Sequence, residues 1–196
     1  EQLNDFIVKD DLEFTANLVF DRIVQNLNKF DFPDFRIGPG AAFVLRSGER
    51  FGTMYGEKFA RSLDELSQAQ RDADTYVVNS DGYVVRQSTL GTVNEAPVKA
   101  LDENGNTLFV IGDINPDFNM GINFNFRYKG FRAYALFNWK QGGDVYNNTS
   151  QWILRELRGG QVDQSAKPEN DRLPVGYYAT LYNVNAVTNH FVEDGS

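Results

Sequence analysis

The chain has 196 residues, with 19 Lys and Arg against 27 Asp and Glu, and a formal net charge of −8. That balance argues against a nucleic-acid partner, whose phosphates would be repelled. No cysteine is present, which excludes disulfides, thiolate nucleophiles and cysteine-ligated metals.

Leu12, Phe14, Ala16, Leu18 and Phe20 alternate with Asp11, Glu13, Thr15, Asn17 and Asp21. This predicts a strand near 11–21 with its apolar residues on one face. A second strand is predicted near 42–56, where Phe43, Leu45, Phe51 and Tyr55 alternate less regularly around Ser47-Gly48-Glu49. Residues 57–115 then read as a long loop. Within it, Ser62 with Glu65 three residues on forms a capping-box pair and predicts a short helix over 62–71. Tyr76-Val77-Val78 and Tyr83-Val84-Val85 about Asp81-Gly82 predict a small hairpin.

The clearest pattern lies in 117–128. Phe118, Met120, Ile122, Phe124, Phe126 and Tyr128 hold the even positions, and Asn119, Gly121, Asn123, Asn125 and Arg127 the odd ones. Lys129-Gly130 supplies a two-residue turn. The return strand, near 131–141, puts Phe131, Ala133, Ala135, Phe137 and Trp139 on one face and Arg132, Tyr134, Asn138 and Lys140 on the other, with Leu136 the exception. Residues 142–196 read as a second long loop, broken by Gly142-Gly143, Gly159-Gly160 and Pro168, with a helix around 149–157.

A strand of about eleven residues is about 37 Å long, and a tilt of about 45° projects this onto about 26 Å of membrane normal. That matches the apolar band of an outer-membrane barrel, whose strands pass a hydropathy scan unseen. No helical span is expected, because the apolar runs are far shorter than the roughly twenty residues needed, and Glu1 to Asp5 do not read as a signal peptide. A soluble β-sandwich with one wetted face is the alternative. It fits less well with strands of twice the soluble length joined by one very short turn and very long connections.

Candidate chemistry is sparse. Asp102, Asn104, Asn106 and Asp113 fall at relative positions 1, 3, 5 and 12, an echo of a calcium loop. However, Gly105 is at position 4 where that loop has glycine at 6, and the expected reading is an Asn-Gly turn. His190 is the sole histidine and reads as a loop residue. Asp72, Asp74 and Asp81 form an imaginable acid/base group, but solvated loop charge explains them better. No nucleophile elbow, zinc-protease motif or P-loop is present, so neither catalytic residues nor cofactors are expected. Tyr76, Tyr83, Tyr146, Trp152, Tyr177, Tyr178 and Tyr182 are the candidates for facing substrate or partner, the alternative being that large loops pack on themselves.

The stretch Gly112-Asp113-Ile114-Asn115-Pro116-Asp117-Phe118, then Gly121, Tyr128-Lys129-Gly130-Phe131 and Gly142-Gly143-Asp144-Val145-Tyr146-Asn147, resembles the C-terminal barrel region of the SusC/RagA family of TonB-linked outer-membrane transporters. Residues 44–51 with Tyr55-Gly56, and 102–106, are similar to further pieces of it. The resemblance implies an all-β, antiparallel transmembrane barrel of 22 strands in the bacterial cell outer membrane. It also implies an N-terminal plug, a TonB box, and a SusD-like surface lipoprotein that helps capture glycans or peptides. The chain carries no plug or TonB box and is expected to be an internal fragment with about four strands. The expected function is TonB-dependent nutrient uptake, with outer-membrane lipids, TonB and the lipoprotein as partners. A secreted soluble β-protein that binds glycans through its loop aromatics is the second hypothesis, and a glycan-degrading enzyme the third.

Overall fold

A computed structural model describes residues 2–9, 11–38, 40, 42–182 and 187–196. Its main sheet has the order β1-β2-β9-β10, all neighbours antiparallel, built from β1 (Gln2–Lys9), β2 (Leu12–Asp21), β9 (Phe118–Tyr128) and β10 (Phe131–Gln141). Strand β1 was not expected. Conversely, the single strand expected near 42–56 is two short ones, β4 (Phe43–Leu45) and β5 (Thr53–Glu57), and both belong to another sheet.

In the β9–β10 hairpin Tyr128 pairs directly with Phe131. Lys129 and Gly130 both take positive φ, 44° and 87°, as a type I′ turn requires to match the twist of its flanking strands. The register then aligns side chains in rows across three strands. On one face lie Leu12–Tyr128–Phe131, Phe14–Phe126–Ala133, Ala16–Phe124–Ala135, Leu18–Ile122–Phe137 and Phe20–Met120–Trp139. The rings interlock, with Phe14 and Phe124 6.0 Å apart, Phe20 and Phe118 5.4 Å, and Phe118 and Trp139 5.5 Å. The opposite face carries Glu13–Arg127–Arg132, Thr15–Asn125–Tyr134, Asn17–Asn123–Leu136, Val19–Gly121–Asn138 and Asp21–Asn119–Lys140.

Both tight turns sit at one end of this sheet: Lys9 pairs with Leu12, and Tyr128 with Phe131. Both long connections leave from the other end, where Asp21 pairs with Asn119 and Gln141 with Phe118.

Residues 57–115 and 142–196, expected as long loops with a short helix, a small hairpin and a helix around 149–157, hold more regular structure than that, and with residues 22–56 they form a body of their own. The first stretch, 22–117, contains β3 (Phe35–Ile37), β4, β5 and β8 (Leu108–Asp113), a second antiparallel sheet of order β3-β4-β5-β8, and the hairpin β6 (Tyr76–Val78) with β7 (Val84–Arg86). It also contains helix α1 (Gln68–Ala73). The capping box uses Ser67 and Gln70, not Ser62 and Glu65. Leu66 is extended and buried, so the chain breaks there, while Glu65 accepts from the Arg61 amide and pairs with Lys58. The second stretch contains β11 (Asp144–Tyr146), α2 (Asn148–Arg155) capped by Asn147, α3 (Val175–Leu181) and β12 (Val192–Asp194), which pairs with β11.

The two stretches share one core. Phe59, Tyr83 and Val85 from the first pack with Leu154, Tyr177, Tyr178, Leu181 and Phe191 from the second. Ala42, Met54 and Val187 form a smaller cluster. Asn189 stitches the stretches further, accepting from the Phe59 amide (2.8 Å) and donating to the Phe59 carbonyl (3.1 Å).

Candidate functional site

The aromatic candidates divide by burial. Tyr83, Tyr177 and Tyr178 lie inside the shared core, so they cannot present a ring to substrate or partner, and the self-packing alternative describes them. Tyr146 and Tyr182 are half-buried against the same cluster, and Tyr76 against Ala60, Leu66 and Val84. Trp152 alone of the seven points outward, with the Arg155 guanidinium 4.7 Å from its ring centroid. Burial raises the Tyr146 hydroxyl to about 12; it donates to Gln151 at 2.9 Å.

The suspected calcium loop closes on itself. Asp102 Oδ1 accepts from the Asn104 and Asn106 amides (2.8 and 2.7 Å), and Oδ2 from the Asn106 side chain (2.8 Å). These bonds hold the Asp102 carboxyl below its usual range, the Asn106 amide group being the main cause. Asp113 is engaged elsewhere, 3.2 Å from Arg50 and accepting from Asn115. The three loop aspartates each have separate partners: Asp72 takes a bond from Gln68, Asp74 pairs with Arg86, and Asp81 lies 3.7 Å from Lys167. No two of them are joined as an acid/base pair. Among the described residues no group of three or more His, Asp or Glu is arranged to hold a metal.

The motifs 112–118 and 142–147 meet where the main sheet joins the upper unit, the body formed by the described parts of 22–117 and 142–196. Asp144 Oδ2 accepts from the Asp113 amide at 2.7 Å. A β-carbon on Gly112 would stand 2.8 Å from that same oxygen, so the glycine is needed for this close approach. These residues therefore fix the upper unit to the sheet rather than form a reaction centre.

His190 lies in a short irregular segment and is half-buried against the core. Its ring lies 4.7 Å from Phe191, and Nδ1 faces the Tyr83 hydroxyl. Arg61 donates to that same hydroxyl at 2.7 Å and stacks 3.8 Å over the Tyr83 ring. With its oxygen accepting from Arg61, the Tyr83 hydroxyl can donate to Nδ1. Burial, aided by Arg61 and opposed by Asp81, lowers the His190 pKa from 6.5 to about 4. Because the folded value is depressed for a base, the unfolded chain takes the proton first as pH falls. The stabilisation is complete above pH 6.5 and lost progressively down to about pH 4, amounting to about 3 kcal/mol. Thermal unfolding of the full-length protein followed from pH 7 to 4 should show this decline, and His190→Gln should flatten that limb; an unchanged pH profile in the variant would refute the assignment.

Side chains are exposed on both faces of the main sheet. Phe131 is 64% exposed and Phe137 61% on the apolar face, while Tyr134 and Leu136 are open on the polar one. A mostly β chain with antiparallel sheets is thereby defined, whose principal sheet offers one ring-rich face and one polar face, and none of whose described sheets closes into a barrel. No helix among the described residues is long and apolar enough to cross a membrane.

No protein-family model matches the chain. It is 27% identical over 166 residues to TonB-dependent receptor P3 of Formosa agariphila, a similarity that covers 78% of this chain and 14% of that receptor. The chain thus spans about one-seventh of the length of the relative it matches.

Proposed function

We propose that this chain is part of the outer-membrane wall of a TonB-dependent transporter that takes up nutrients and is not an enzyme. One observation carries the reading: the main sheet exposes both faces, one apolar and aromatic and one polar, with both tight turns at one end and both long connections at the other. Two such faces suit two different solvents, lipid outside and an aqueous or protein-filled lumen inside. Short turns belong to the periplasmic end of outer-membrane barrels and long connections to the exterior. The similarity to a TonB-dependent receptor agrees with it.

In this reading the β1-β2-β9-β10 sheet stands in a larger barrel, since four strands cannot close one and about eight are needed. The upper unit faces the exterior, where Trp152 is the one outward ring of the seven candidates for substrate or partner. The finer assignment is a SusC-like transporter for oligosaccharides or peptides, paired with a SusD-like lipoprotein and energised by TonB. It follows from the motif resemblance in 112–147.

Fractionation of cells that make the full-length protein tests the reading. The protein is expected in the outer-membrane fraction and released only by detergent. Recovery as a soluble species without detergent would overturn the proposal and favour a secreted β-protein.

A further inference from the structure

Asn104 is the one asparagine of the chain followed by glycine. Asparagine deamidates when the backbone nitrogen of the next residue attacks the side-chain carbonyl carbon, and glycine hinders that approach least because it has no β-carbon. The loop tip at Asn104 and Gly105 is exposed. Asn104 bonds to Asp102 through its backbone amide, and its side chain has no hydrogen-bond partner among the described residues. A β-carbon on Gly105 would meet nothing within 4 Å, so ring closure is sterically open.

Competing positions are held shut. Asn79, followed by the small Ser80, is buried; its Oδ1 accepts from the Asp81 and Tyr83 amides at 3.1 and 3.0 Å, and its Nδ2 donates to Glu95 and Tyr177. Asn106 Nδ2 is tied to Asp102. Asn119, Asn123, Asn125 and Asn138 lie on β9 and β10, each before a bulky residue. Asp81-Gly82 and Asp194-Gly195 supply the glycine, but an ionised carboxylate is a poor electrophile with no amine to release. At Asn104 one restraint remains. The Gly105 N–H donates to the Asp102 carbonyl at 3.0 Å, and the Asp102 carboxylate accepts from the Asn104 and Asn106 amides. While those bonds hold, the attacking nitrogen is fixed in the turn, so reaction waits on local opening.

We propose that Asn104 is a site of spontaneous deamidation and that the Asp102 carboxylate sets its pace. The Gly105 nitrogen gives up its proton and bonds to Asn104 Cγ, the Cγ–Nδ2 bond breaks, and ammonia leaves with that proton. Water then opens the five-membered imide at either carbonyl. One product is an aspartate at 104; the other routes the main chain through the side-chain carboxyl and lengthens it by one carbon. Both add a negative charge beside Asp102 and Glu103, and the second displaces the Asn106 amide from the Asp102 carboxylate. Because Glu103 accepts from the Gln68 amide at 3.4 Å, the altered turn also loosens the start of α1. The inference does not depend on the membrane reading.

The test incubates the folded full-length protein in mildly alkaline buffer and follows every asparagine by mass spectrometry of digests, with an isoaspartyl-specific methyltransferase to count the rearranged product. Asn104 should convert ahead of all others, and Asn104→Gln should abolish the signal. Asp102→Ala should speed conversion at 104 severalfold, and Asp102→Asn, which keeps Oδ1 as an acceptor, should fall between that variant and wild type. Asn79 gauges the fold, since its locked side chain converts only on unfolding. If Asn79 converts alongside Asn104 in the Ala variant, the milder Asn variant decides. Conversion of another asparagine ahead of Asn104 in the wild type, or an unchanged rate at 104 when Asp102 is replaced, overturns the inference.

Discussion

Replacing Tyr177 by Ala should loosen the upper unit while leaving the β9–β10 hairpin protected. The Tyr177 ring is fully buried and lies edge-on to Tyr83 and Tyr178, with centroids 6.4 and 5.3 Å away. Its hydroxyl accepts at 3.0 Å from Asn79, whose same amide nitrogen also donates to the buried carboxylate of Glu95 at 2.8 Å. Removing a ring of this size from a closed core costs about 3–5 kcal/mol, most of it lost packing and the cavity left behind. Tyr177→Phe keeps the ring and removes only the acceptor, at about 1 kcal/mol, because Asn79 retains Glu95. Amide hydrogen exchange on the full-length protein distinguishes the outcomes. The Val84, Val98 and Asn147 amides, which bond to the Ala60, Val84 and Phe191 carbonyls, should exchange faster in the Ala variant. Equal loss of protection in β9 and β10 would mean that the unit has no core of its own.

Adjacent residues on β10 should respond in opposite ways to the same charge. Phe137→Arg puts a guanidinium on the apolar face, beside Ile122 and 6.3 Å from the Phe124 ring. Asn138→Arg puts one on the polar face, opposite Gly121, where space is free. Phe137 is already 61% exposed, so in water its replacement would forfeit little. Against lipid the same substitution costs about 2–4 kcal/mol near the bilayer midplane. The full-length protein carrying Phe137→Arg should therefore show a reduced folded fraction in urea titrations in lipid vesicles, while Asn138→Arg stays near wild type. Equal tolerance of both would remove the apolar face from contact with lipid.

The parts legible in the sequence are those where a local period sufficed. Over Phe118–Tyr128 every apolar residue has one parity, and the return strand shares the face across a two-residue turn, so pairing and register followed together. Strand β1 has no such period: Leu3 and Ile7 share parity with Asp5 and Lys9, while Phe6 and Val8 have the other. Its pairing with β2 is a tertiary fact. The two capping boxes show a different limit. Ser62 with Glu65 and Ser67 with Gln70 have the same spacing, and what selects the second is the burial of Leu66 between them.

Site residues were harder for a related reason. Tyr83, Tyr177 and Phe191 come together from distant parts of the chain with no shared period, and a tyrosine in an irregular stretch reads equally as ligand platform or as core. His190 gave no sequence signal of its burial either. Its depressed pKa comes from burial and from the Arg61 charge, which only the folded upper unit brings about. The opposed arginines, by contrast, were implicit in the hairpin register. Once Tyr128 faces Phe131, Arg127 must face Arg132.

The same hairpin governs how easily the upper core assembles. Phe59, Tyr83 and Val85 precede it in the chain, Leu154, Tyr177 and Phe191 follow it, and no member of that core lies on it. Because Phe118 and Gln141 are paired, residues 119–140 drop out of the loop that must close for the two halves to meet. The hairpin, held by a local turn, acts as a tether that raises the effective concentration of one half near the other. Fraying at Phe118–Gln141 would lengthen the loop again and weaken, at a distance, a core whose side chains the hairpin does not supply.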